Sequence, residues 1–296
     1  MTRRSYFIRH TEKLAVPNST IDTLWLGHSI AIHYPYQRNH KRLGKADIAS
    51  LDPNDYSGAA RAAMKTLSRL SEEGGYVWAE YRNHPSCLVG KVVAGTPIEI
   101  HRDKWREADR PGREAVLKKL ALVDAREIGP SECIALRAAR PQQGTICQWS
   151  NIGERLRYVV DRQAVPVALD ALTPAQQEVM CSEFLRHPYA ERFSLPRLET
   201  LLMPVGRTMK DVDIYGLTAA RREIFAQVTY HPREDAAAKR AVLDSYATKH
   251  RYTILFCRAP AVLQDGLVIV FPIEEVFEVF KRSPEGRRWL KRALQS

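Results

Sequence analysis

In residues 210–231, KDVDIYGLTAARREIFAQVTYH, two acids and an amide fall on adjacent strand-like segments, and the chemistry they can share is cation binding. Side chains alternate along a strand, so Asp211, Asp213 and Tyr215 share one side of DVDIY, and Gln227, Thr229 and His231 share one side of IFAQVTYH. The connection LTAARRE is polar and short enough to fold the two segments back as an antiparallel pair, setting an acidic face beside a Gln/Thr face. Hard divalent cations, Mg2+ or Mn2+, take carboxylate, amide and backbone carbonyl oxygens and leave positions open for water and phosphate. Gln227 sits between Ala226 and Val228 in an apolar run, where an unpartnered amide is costly. Against this, an Asp-x-Asp pair met alone is more often a solvated feature beside a turn, and His231 reads first as a polar residue at a strand end.

The elements that must position these groups read clearly. LTPAQQEVMCSEFLR, residues 172–186, is expected to be a helix: Thr173 caps it, Pro174 suits its first turn and Gln176 completes a capping box. PRLETLLMPVGR, DVDIYGL and EIFAQVTYH follow as strand candidates, then the Ala-rich helix REDAAAKRAVLDSYATKH. YTILFCRA and GLVIVF are short apolar runs typical of buried strands, and EEVFEVFKRSPEGRRWLKRAL closes with helix. Arg282, Arg287, Arg288, Lys291 and Arg292 on that last helix form either a solvated face or a grip on phosphates.

Helix, three-strand meander, helix, strand, strand over residues 170–296 resembles the αβββαβ core of the PD-(D/E)XK, restriction-endonuclease-like nucleases, in the variant where Gln stands in for the second acid. In that resemblance Val205-Gly206-Arg207 supplies the turn, Asp213 is the catalytic Asp, and Gln227-Val228-Thr229 takes the place of Gln-x-Lys. It implies an Mg2+ or Mn2+ site made of Asp213, Gln227, the Val228 carbonyl and an acid of the first helix, with Glu178 the better match and Glu183 the second choice. The departure is Thr229, because the lysine expected there orients water and offsets phosphate charge, and a hydroxyl does neither. Lys249 and Lys210 are the candidates to replace it, although Lys210 falls on the strand face opposite Asp213.

The first half, residues 1–165, reads as β-rich with inserted helices: TLWLGHSIAIHYP, GYVWAEYR, SCLVGKVVAGTPIEIH, LALVDAREIG, ECIALRA and GTICQW as strands, SGAARAAMKTLSRLSEEGG as a helix stopped by paired glycines. This pattern suits a small mixed β-barrel. The ordered signals WLGHSIAIHYP, CLVGKV, LKKLALVDAREI and GTICQW resemble the PUA-like superfamily with its EVE and YTH-type readers, which implies a nucleic-acid module enclosing a modified base between aromatic side chains. Trp25, Tyr34, Tyr36, Trp78, Tyr81 and Trp149 are the aromatics available, with Trp25 and Trp149 preferred, and core packing is the competing reading of each. The most charged stretch of this half, residues 99–119, carries Arg102, Lys104 and Arg106, which are exposed and able to follow a phosphate backbone.

Composition sets the outer limits. The 296 residues are 45% hydrophobic, enough for two domains with cores, and a Pro-containing stretch at 161–173 divides them. No apolar run is long enough to span a membrane and the N-terminal residues have no hydrophobic signal core, so a cytoplasmic protein is expected. Cys87, Cys133, Cys147, Cys181 and Cys257 lack the spacing of a zinc site or a disulfide framework. The net charge of +11 is concentrated in residues 1–165, with 26 Lys and Arg against 18 Asp and Glu, compared with 19 against 16 in the remainder. That distribution fits a polyanionic partner.

Three function classes follow. One is a metal-dependent endonuclease, modification-dependent or otherwise guided, that reads double-stranded DNA with its first half and cleaves it with its second. Family resemblance implies a homodimer for it. Another is a nuclease-derived protein that has lost cleavage and senses DNA or RNA in a bacterial defence or restriction system, for which Thr229 is the direct argument. A third is a small-molecule enzyme of mixed α/β architecture.

Overall fold

A computed structural model describes residues 4–34, 49–106, 114–142, 144–152, 154–202 and 211–294. The chain divides into two compact units, Met1–Val165 and Pro166–Leu294. Tyr36, Lys210 and the turn at 205–207 lie outside the described residues.

The first unit runs β1 (Ser5–His10), α1 (Asn18–Leu26), β2 (Ser29–Ile32), α2 (Gly58–Glu73), β3 (Gly75–Tyr81), β4 (Cys87–Val92), β5 (Glu99–Lys104), β6 (Glu114–Ala121), β7 (Val123–Ile128), α3 (Ile134–Ala138), β8 (Ile146–Gln148) and α4 (Arg155–Val160). These strands form a five-stranded sheet in the order β7-β4-β3-β1-β8 and a three-stranded sheet β2-β6-β5. Among the described residues neither sheet closes, which corrects the expected barrel. The reason lies in the two central strands, β1 and β3, which are parallel neighbours buried on both faces. Tyr6, Ile8, Val77 and Ala79 face one core together with Ala60, Ala63, Met64, Leu67 and Leu70 of α2, whose spacing is that of a helix stripe. Phe7, Tyr76 and Trp78 face a second core with Leu156, Val159 and Val160 of α4. A sheet covered by helices on both sides stays open, and its strands read as continuous apolar runs. Two expected strands contain helix, the first of them only in its opening residues. Thr23 to Leu26 belong to α1, capped by Gly27 before β2 begins, and IALRA forms α3.

The second unit runs α5 (Pro174–Arg186), α6 (Tyr189–Arg192), β9 (Thr200–Leu201), β10 (Ile214–Leu217), β11 (Glu223–Pro232), α7 (Ala237–Tyr246), β12 (Tyr252–Arg258), β13 (Leu263–Asp265), β14 (Val268–Pro272), α8 (Ile273–Arg282) and α9 (Pro284–Leu294). Thr173 and Gln176 make the reciprocal capping box on α5, with Gln176 N–H donating to Thr173 Oγ1 and Thr173 N–H to Gln176 Oε1. The sheet order is β13-β14-β12-β11-β10-β9. β9, β10 and β11 are antiparallel neighbours, whereas β12 lies parallel to β11, with α7 as the crossover between them. Phe225, Leu255, Cys257 and Val270 pack with Leu243 of α7. Phe184 of α5 meets Phe271 at 5.4 Å between ring centroids. Among the described residues no helix is long and apolar enough to cross a membrane.

One polar side chain is built into the first unit's core. His10 is 1% exposed at the end of β1, stacked on Tyr81 at 4.2 Å, and both of its ring nitrogens are engaged. Ala31 N–H donates to Nε2 at 3.1 Å, so Nε2 is unprotonated and Nδ1 carries the hydrogen given to the Glu80 carbonyl at 3.0 Å. Burial, with a smaller contribution from the Arg82 charge, lowers its pKa from 6.5 to about 4. A base whose folded pKa is depressed contributes stability above its unfolded pKa and loses it as pH falls. We therefore predict that between about pH 6.5 and pH 4 the first unit loses up to about 3 kcal/mol relative to a His10→Gln variant. Urea unfolding of both proteins across that range checks it, and parallel curves would contradict it.

Candidate functional site

β10 begins at Ile214, opposite Ala226, while β11 continues to Pro232, so past Ala226 the ladder between these two strands ends. The amide of Val228 is met by a side chain instead: its N–H donates to Asp213 Oδ2 at 2.8 Å. The same oxygen accepts from Lys239 Nζ at 3.0 Å, and that ammonium also donates to the Val228 carbonyl at 2.6 Å. Asp213 itself is anchored by its own N–H to the Ala226 carbonyl at 3.0 Å. One carboxylate, the N–H and carbonyl of one residue at the point where two strands part, and one ammonium thus close on each other.

Gln227, 4% exposed, lies between these groups in sequence. Its Nε2 donates to the Asp211 carbonyl, which fixes the amide orientation, since reversal would set oxygen against oxygen. Oε1 is then buried with no hydrogen-bond partner among the described residues, an arrangement that costs about 1–3 kcal/mol. From α5, Glu178 and Cys181 come to the same neighbourhood: burial drives the Cys181 thiol well above its ordinary pKa, and the carboxylates of Asp213 and Glu178 both add to the effect. Glu183 points elsewhere and pairs with Arg186 at 3.3 Å on the exposed side of α5.

The donor chemistry fits the divalent cation that the nuclease resemblance implies. Asp213, the Gln227 amide oxygen, the Val228 carbonyl and Glu178 offer only hard oxygen donors, and the partnerless Gln227 Oε1 is the atom a cation would satisfy. In the structure the Lys239 ammonium bridges Asp213 and the Val228 carbonyl. Among the described residues no three His, Cys, Asp or Glu side chains are grouped as a ligand cluster.

Lysine is present at the site, but from a position that sequence reading missed. Lys249 follows the end of α7, and its carbonyl accepts from Arg222, just before β11 starts. A crossover helix between parallel strands runs back along the sheet, so its first turn meets the far end of β11 and its last turn the near end. Six residues of strand, roughly 20 Å, separate Arg222 from Val228. Lys239, third in α7, is therefore at the site and Lys249 is not. The available signal was this topology combined with a lysine in the helix's first turn. Thr229 is buried within β11, and its Oγ1 accepts from His231 N–H at 3.2 Å. His231 is exposed and lies against Tyr230. On α8 and α9, Arg282 and Arg288 pair with Glu278 and Glu285. Arg287, Arg288 and Lys291 line one open surface depression.

In the first unit the aromatics separate. Trp78 and Trp149 are fully buried and pack edge to face, centroids 6.0 Å apart, so neither ring has a face to offer a base, which corrects their assignment to a base pocket. Trp25 is half-buried in α1, stacked on His84 at 4.1 Å and set edge-on to the buried Tyr81. Tyr34 is half-buried beside the same core. Arg102 pairs with Glu114 across β5 and β6, Arg106 pairs with Glu12, and Lys104 is exposed at the end of β5.

Comparison with protein-family models, curated proteins and solved structures finds no match for this chain.

If Asp213 and Lys239 bind each other as the geometry indicates, their alanine replacements are coupled. The expected coupling energy in a double-mutant cycle is about 0.5–1 kcal/mol, kept small because the Lys239 side chain is 39% exposed. Strictly additive effects on denaturant unfolding would contradict the contact.

Proposed function

We propose that the second unit is a metal-dependent phosphodiesterase that cuts double-stranded DNA, with the first unit engaging the same substrate. The observation that carries this reading is the Lys239 ammonium at the Asp213 carboxylate and the Val228 carbonyl, beside the buried, half-satisfied Gln227. It offers a positive side chain where Thr229 offers none.

Asp213, the Gln227 amide oxygen, the Val228 carbonyl and Glu178 are the groups that would hold Mg2+ or Mn2+. When bound there, the cation would supply Lewis-acid chemistry toward the phosphate and toward a water molecule. The protein's own part begins with Val228 N–H, which fixes one Asp213 oxygen and so the direction in which the carboxylate presents itself. Lys239, reaching from a helix turn rather than a strand, is long and flexible enough to leave the carboxylate and set its charge against a non-bridging phosphate oxygen. The buried surroundings of Gln227 limit competing water. The excess positive charge in residues 1–165 supports phosphate contact there, and cleavage of both strands calls for two such sites, as in a homodimer.

A second reading has its own observation. Lys239 stands between two of the assigned cation ligands, and the described residues hold no cluster of three acidic, histidine or cysteine groups. On that basis the unit binds nucleic acid and does not cut it.

Supercoiled plasmids, methylated and unmethylated, incubated with the protein in Mg2+ or Mn2+ separate the two readings. Metal-dependent nicking that falls about 100-fold or more in both Asp213→Ala and Lys239→Ala is expected. Absence of nicking alongside retained DNA binding would instead favour the second reading, and nicking unchanged in Asp213→Ala would remove this site from the chemistry.

A further inference from the structure

The parallel strands β1 and β3 end side by side at His10 and Tyr81. Ligands of open sheets with parallel strands collect beyond the carboxyl ends of those strands. Here the space holds a cavity of about 170 Å³, whose charged lining among the described residues is Arg9, Arg82, Arg137 and Arg140 against the carboxylate of Glu80; His84 also lines it and meets Asp22 at 3.1 Å.

How these cations are partnered decides what the cavity attracts. Arg82 is a structural clamp, donating to Asn18 and to the Thr11 and Val16 carbonyls with Glu12 as its ion pair. Arg140 pairs with Glu80 at 3.1 Å. Arg9 and Arg137 differ from both, because their hydrogen bonds run to main-chain carbonyls and, for Arg137, also to the Cys87 sulfur, with no carboxylate ion pair among the described residues. Carbonyl dipoles hold a guanidinium in place without cancelling its charge. Arg9 Nε is in addition buried and without a hydrogen-bond partner among the described residues. His10 at the floor is neutral with both nitrogens engaged, so it neither adds charge nor competes for a ligand. Thr11 and Ser86 place hydroxyl side chains in the same wall.

Two uncompensated guanidinium groups, a third held by one carboxylate and adjacent hydroxyls match a dianionic phosphate, which guanidinium forks bind with paired hydrogen bonds. The volume admits a phosphoryl group and is small against the 300–1,000 Å³ of sites that enclose a whole ligand. A continuous phosphodiester backbone calls for an open groove, and this is a recess. The Trp25–His84 stack adjoins it through the lining residue His84. We propose that this cavity binds the phosphate monoester of a nucleotide, carried either by a free mononucleotide or by a nucleic-acid strand end. The proposal is independent of the cleavage reading, since every group it uses belongs to the first unit.

The test uses the full chain at constant ionic strength. One arm compares AMP with adenosine by calorimetry, the other a 3′-labelled oligonucleotide bearing a 5′-phosphate with its 5′-hydroxyl twin by anisotropy. In at least one arm the phosphate-bearing ligand is expected to bind about tenfold or more tightly, and the arm that responds identifies the source. Arg140→Gln should reduce that preference severalfold. Glu80→Gln, which removes the lining carboxylate, should strengthen binding, an effect that misfolding does not produce. No preference for phosphate in either arm would overturn the proposal, as would a preference that Glu80→Gln weakens or that Arg140→Gln leaves unchanged.

Discussion

The second unit is organised around one oxygen atom. Asp213 Oδ2 takes the Val228 N–H and the Lys239 ammonium, and Lys239 returns to the Val228 carbonyl, so a single carboxylate joins the entry to β10, the middle of β11 and the first turn of α7. The strand ladder fails where β11 outruns β10, and a peptide group left there needs a partner. Asp213 supplies the acceptor for the Val228 N–H and Lys239 the donor for the Val228 carbonyl. This satisfies the backbone at the point where the sheet opens, and it also concentrates oxygen atoms and positive charge there. Structural need and chemical capacity thus arise from the same atoms.

The sequence made the order of elements in this unit readable, because each signal was local. Thr173 and Gln176 announced a capping box that is formed, and the runs YTILFCRA and GLVIVF had the length and apolarity of buried strands. The identity of the site's lysine was not local. Lys239 reaches Asp213 only because α7 returns along the sheet between parallel strands, and spacing from Thr229 alone pointed toward no particular helical residue. Likewise Glu178 and Glu183 both sit in α5, and only their different sides of that helix distinguish the one near Cys181 from the one paired with Arg186.

The first unit shows the complementary failure. Its apolar runs do mark strands such as GYVWAEY and CLVGKV, but a run buried on both faces looks alike in a barrel wall and in a helix-covered sheet. The parallel pairing of β1 with β3, separated by α2, is a tertiary fact that no short segment carries. The same pairing explains why Trp78 lies in the core while Tyr81, at the strand's end, borders the cavity with His84 and Arg137. Tryptophan content pointed toward base stacking, whereas the strand ends are where the arginines gather.

Whether the Asp213 oxygens hold a cation is open to direct observation by anomalous diffraction from crystals grown with manganese. The expected map places a manganese peak bonded to the Asp213 carboxylate and to Gln227 Oε1, with the Lys239 ammonium moved away from Val228. A map with no peak at Asp213, and Lys239 still bridging the carboxylate and the Val228 carbonyl, would contradict a cation site there.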